Sequence, residues 1–170
     1  MSARPFGRAI GRVAALAALL ILSQAVPSQS HAGIFSGLGG SWRGDGSIRW
    51  TSGETERIRC QGAYKVGSGG NQLEQKLTCA SDSTKLSVEA VITYKPEAGV
   101  ITGSWSETGY GVGGWVSGTA NATTINARVR SGDNTFNARV SVVTRGARQT
   151  VSIKPQGLDV TEVSVTLRRR

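Results

Sequence analysis

Histidine is almost missing from this chain: there is one in 170 residues, His31. Methionine is as scarce, with Met1 alone. Both fall before residue 33, in a segment read below as a leader. From Gly33 onward the chain has neither imidazole nor thioether. A Ser-His-Asp or Cys-His site cannot be built without imidazole. Zinc, copper and haem sites lose their usual ligands. No P-loop and no dinucleotide-binding G-x-G-x-x-G occurs, and GYGVGG (109–114) reads as a hairpin loop. The acids Glu54, Glu56, Asp82 and Glu107 remain, but they sit at turns and strand ends, where carboxylates are usually solvated. A two-carboxylate hydrolase needs one acid with a raised pKa beside a cleft, and no pattern here buries one. The expectation is a protein that is not an enzyme, with no cofactor and no metal site.

Long apolar runs are also lacking. The longest, Val13–Leu22, is about half the ~20 residues a membrane-spanning helix needs. It follows Arg4, Arg8 and Arg12, and it precedes the small-x-small triplet Ser30-His31-Ala32. That order is a secretory signal peptide over residues 1–32, cleaved near Ala32–Gly33. Residues 33–170 are then one domain, periplasmic or secreted, with no transmembrane segment of its own. The full sequence carries +9. Such a positive balance suits a soluble surface or an anionic partner in the envelope.

There are two cysteines, Cys60 and Cys79. In an oxidising compartment they are most simply one disulfide. A hairpin that pairs them centres its turn between Gly69 and Gly70, inside GSGGN, where residues free to take positive φ are needed. The same register pairs Gly62 with Leu77, Tyr64 with Gln75 and Val66 with Leu73. Ile58, Cys60, Tyr64 and Val66 then share a face, and Arg57, Arg59, Gln61 and Lys65 share the other. Period-2 patterning and cysteine placement agree.

The rest of the chain repeats this logic. A turn at Gly132-Asp133 would pair Val129 with Phe136, Ala127 with Ala138 and Ile125 with Val140. A second, at Gly146-Ala147, would pair Val142 with Val151 and Val140 with Ile153. Both are Gly-X turns of the type II′ kind. Arg128, Arg130, Arg139 and Lys154 point away from the apolar face. KLSVEAVITY and TEVSVTLRR alternate in the same way. The fold class is all-β: an antiparallel up-and-down meander of about eight to ten strands, closing into a small barrel that removes its edges. A β-sandwich is the alternative. Arg43-Gly44-Asp45 reads as a bend.

Gly40-Ser41-Trp42 opens the first strand after the apolar lead-in IFSGL, and a basic residue sits late in the last strand. This resembles lipocalin and calycin barrels. The resemblance implies that Trp42 closes one barrel end and that Arg168 packs on it. A small barrel with one disulfide and a basic C-terminus is similar to Inh-type protease inhibitors, although their cysteine spacing differs. RIRC, LTCASDS, GSWSE and TRGARQTVSI together resemble a group of small exported alphaproteobacterial proteins with no assigned function. That resemblance implies a periplasmic home, and it leaves the sequon Asn121-Ala122-Thr123 idle.

Binding is the remaining role. A hairpin centred on Tyr110 would make Trp105 and Trp115 a cross-strand pair. If the loop Pro96–Gly99 has four residues, Ala90 opposes Trp105 and both tryptophans face inward, near Tyr94. They would line a cavity for a small apolar ligand or lipid. A register one residue off would turn them outward as a partner patch. The alternative function is an envelope-structural or protein-interaction module, protease-inhibitor-like roles included, that uses its basic outer surface toward an anionic envelope component or a protein. Arginines alternating with core residues are ordinary strand polarity, so no nucleic-acid partner is expected.

Overall fold

The computed structural model describes residues 32–170. The signal-peptide reading of residues 1–32 lies, but for Ala32, outside the described residues. Ten antiparallel strands form the domain: β1 (Gly40–Trp50), β2 (Thr55–Gly67), β3 (Gln72–Ala80), β4 (Lys85–Lys95), β5 (Val100–Glu107), β6 (Val112–Ala120), β7 (Thr124–Ser131), β8 (Asn137–Arg145), β9 (Arg148–Gln156) and β10 (Val160–Arg169). Each strand pairs with its sequence neighbours, and β1 closes on β10. The result is a closed barrel, not a sandwich. No helix among the described residues is long and apolar enough to cross a membrane.

Alternation builds the wall. In β2, Ile58, Cys60 and Tyr64 are buried, while Arg57, Arg59, Gln61 and Lys65 are exposed. The β2–β3 register pairs Cys60 with Cys79 and Tyr64 with Gln75, as the sequence predicts. The disulfide is formed, with the Cα atoms 4.1 Å apart. Gly69 and Gly70 take φ of 65° and 85° at the turn, a region in which an L side chain is strained. Gly146, with φ 58°, makes the expected two-residue β8–β9 turn, and Val142 meets Val151.

Two hairpins depart from the expected registers. In β7–β8, Val129 pairs with Ala138, Ala127 with Val140 and Ile125 with Val142. This is a slip of two residues, so every side chain keeps its face. The turn is longer than a Gly-X pair because Ser131 closes it. Its hydroxyl accepts the Phe136 N–H at 2.9 Å and donates to the Asp133 carboxylate. Asn134, not Gly132, takes the positive φ, at 61°. In β5–β6, Trp105 pairs with Gly114 and Ser104 with Trp115. This slip is one residue, and it puts the two tryptophans on opposite faces. The Arg43-Gly44-Asp45 triplet is not a bend but mid-strand in β1. Gly44 is needed there because a Cβ would lie 1.8 Å from the Thr166 carbonyl oxygen of β10. Gly114 meets β7 in the same way, 1.9 Å from the Arg130 carbonyl oxygen. Such close crossings let the strands coil sharply enough for the sheet to close.

One end of the barrel is plugged. Residues 33–39 fold over it, with Gly33 N–H and Phe35 N–H donating to the Gly69 and Gly70 carbonyls, each at 2.9 Å. Phe35 (1% exposed) and Leu38 (6%) fill the mouth over Trp42. The Trp42 indole donates to the Leu38 carbonyl at 2.9 Å and stacks on Tyr64, with ring centroids 5.7 Å apart. The cation over Trp42 is Arg169, 5.9 Å from the ring centroid, and not Arg168. Val163, Val165 and Leu167 face inward, so parity carries Arg169 inward and Arg168 out. Arg169 also donates to the Gly37 carbonyl at 2.7 Å and ties the plug to the last strand.

Candidate functional site

The inner wall is not filled evenly. At the plugged end, inward side chains such as Leu73, Ile101, Val151 and Leu167 are buried. In the half toward the other end, inward-facing Leu77, Ala90, Trp105, Val129, Val140 and Ile153 are only half-buried. The strands and their alternation are the same in both halves. Water reaches part of this wall at those six positions, while Ile48, Ile58 and Ala138 in the same half are buried. That wall is apolar, and small residues widen it: Ala90 faces Trp105, and Trp105 faces Gly114.

Trp105 stands at the rim of this open half. Its ring meets Phe136 edge-on at 5.5 Å, and its indole donates to the Arg130 carbonyl at 3.3 Å. Glu107, two residues along β5, is buried at 6% exposure, contrary to the reading of a solvated acid. Loss of water pushes its carboxyl up, but the N–H groups of Ser87, Tyr110 and Gly109 outweigh this and hold it below the ordinary value. It therefore pins the four-residue loop 108–111, whose even length is what separates the tryptophan faces. Tyr94 faces inward but lies at the plugged end, edge-on to Phe35 at 6.5 Å, and so takes no part in the open half. Across the interior, the Tyr64 hydroxyl donates to Gln149 Oε1 at 3.0 Å, and burial pushes its phenol well above the ordinary value.

Trp115 is on the outside, 62% exposed. It is opposite Arg130 on β7. The neighbouring row runs from Ser117 through Arg128 and Arg139 to Lys154, one residue per strand from β6 to β9. Trp115, Ser117, Arg128 and Arg139 line a surface groove of about 670 Å³, with Asn137 and Gln156. A second depression of about 790 Å³ lies on the other side of Trp115 and contains the Lys76–Glu89 ion pair at 2.7 Å. That is the only ion pair among the described residues. The sequence places Arg128, Arg130, Arg139 and Lys154 on the outer face, but the two-residue slip in β7–β8 hides that Arg128 lies directly opposite Arg139. The Arg139–Lys154 pairing was available from the Gly146 turn.

No protein-family model matches the chain, and no curated protein does. Solved structures do resemble it. The crystal structure of Rv2717c from M. tuberculosis superposes with a TM-score of 0.62 at 14% identity, covering 79% of this chain and 94% of that one. The S-type phycobiliprotein lyase CPES from Guillardia theta gives a TM-score of 0.53 at 16% identity, covering 80% and 90%. What the likeness shows is the fold, in this chain a closed antiparallel β-barrel. One of these neighbours is itself named a lyase, so the fold lends no support to the expectation of a non-enzyme.

Proposed function

We propose that this chain is an exported binding protein that holds a small apolar molecule or lipid in the open half of its barrel. The observation that carries this reading is the half-buried apolar inner wall around Ala90, Trp105, Val129 and Val140, in a barrel whose other end is plugged by Phe35 and Leu38. An apolar wall left in contact with water is an unfilled hydrophobic surface, and an apolar guest would cover it. The disulfide supports an oxidising location, and the calycin-type barrel is compatible with a binding role. Trp105 lines the site, and Trp115 does not.

Titration of delipidated protein with envelope lipid extract should shift tryptophan emission, and native mass spectrometry should show a bound small molecule. Trp105→Ala should weaken the response, and Ala90→Phe, which fills the space opposite Trp105, should abolish it. Trp115→Phe should leave the affinity unchanged. Absence of any shift or bound mass in the unsubstituted protein would overturn the proposal.

A further inference from the structure

The outer face of β6–β9 has features that barrel stability does not explain. Arg128, Arg139 and Lys154 lie directly opposite one another on three adjacent strands. Like charges in that arrangement destabilise a sheet. Among the described residues, no carboxylate lies within ion-pair distance of any of them. All three are exposed, and Trp115 stands beside them with most of its ring in solvent. A second row, Arg43, Arg168, Arg148 and Arg145, crosses β1, β10, β9 and β8, again without an ion pair among the described residues. Arg139 and Arg145 are six residues apart on β8, or ~20 Å at about 3.3 Å per residue. The outer wall thus carries two basic rows, with the neutral pairs Ser141–Ser152 and Val143–Thr150 between them.

We infer that this face binds an acidic polysaccharide, a chain of carboxylate-bearing sugars laid along the groove beside Trp115. The indole offers a flat apolar face to the C–H face of a pyranose ring. Arginine forks match carboxylates in two-pronged hydrogen bonds. Ser117, Asn137 and Gln156 supply neutral partners for hydroxyls. An anionic guest would relieve the repulsion within the row. Single-stranded nucleic acid fits less well, because its binders stack successive bases on several aromatics, and Trp115 is the one large exposed aromatic on this face. A bilayer fits less well too, because the surface is a groove and the exposed apolar residue nearest along the Trp115 row, Val91, lies two strands away.

The test uses the whole folded domain and an oligomer of polygalacturonate as probe. Calorimetry should show saturable binding that weakens as salt rises. Trp115→Ala and the double variant Arg128→Ala with Arg139→Ala should each weaken it at least ~10-fold. Arg128→Lys with Arg139→Lys keeps the charge and loses the fork, so it should fall between. Neutral dextran should not bind. Trp105→Ala should leave polyuronate binding intact, so this inference and the lumen proposal stand or fall separately. Circular dichroism confirms that each variant is folded. The inference is overturned if polyuronate does not bind, if Trp115→Ala binds equally well, or if a single-stranded oligonucleotide or phosphatidylglycerol vesicles bind more tightly than polyuronate.

Discussion

Trp42 makes more kinds of contact than any other residue at the plugged end. Its ring is fully buried, its indole N–H is satisfied by Leu38, one face stacks on Tyr64, and Arg169 stands over the ring. Trp42→Ala removes all of this and leaves a void, so a loss of ~3–5 kcal/mol in denaturant unfolding is expected. A change within about 0.5 kcal/mol, the range of surface sites, would contradict the burial. Arg168→Ala should fall in that surface range, and Arg169→Ala should not. Trp42 was legible from its place after the glycine-rich lead-in. Its cationic neighbour was legible only by parity: the inward series Val163, Val165, Leu167 ends at Arg169. Glu107 carried no such signal, because its burial depends on the Ser87 amide of a strand 20 residues earlier.

Turns decided which registers could be read. Where glycines alone make the turn, as at Gly69-Gly70 and Gly146, the predicted pairs are the observed ones. Where side chains make it, composition misleads. The β7–β8 loop looks like a Gly-Asp turn, yet Ser131 and Asp133 hold it open to a longer form. The Asp133 carboxyl is pulled down to about 2, first by the Ser131 hydroxyl and then by the Thr135 N–H and hydroxyl. A carboxyl depressed in the folded state stabilises above its unfolded value, about 3.9, and that stabilisation is lost as pH falls toward the folded value. Asp133→Asn should therefore be less stable than the unsubstituted protein at neutral pH, and the difference should shrink between pH ~4 and ~2. A constant difference across that range, measured by thermal unfolding, would show that the carboxylate is not what holds the loop. The same loop positions Phe136 against Trp105, so its form sets one side of the open rim.

For the molecule as a whole, closure matters more than any single link. Each strand has two partners, no sheet edge is left open, and the strand count and meander order follow from alternation and turn spacing alone. The filling of the lumen does not follow from them, because it depends on how sharply glycines such as Gly44 and Gly114 let the wall coil. The disulfide is a test of this view. It joins β2 and β3 at positions that pair in the sheet regardless, and the two cysteines are only 19 positions apart in sequence. Its contribution should then be a restriction of the unfolded chain of ~3 kcal/mol, not a specification of the fold. At about 3–4 °C per kcal/mol for a domain of this size, Cys60→Ser with Cys79→Ser should melt ~10 °C lower. The transition should remain single and cooperative, and far-ultraviolet dichroism at low temperature should be unchanged. A variant that is unfolded, or that melts in two steps, would mean that the bridge and not the closed hydrogen-bond ladder holds the barrel together.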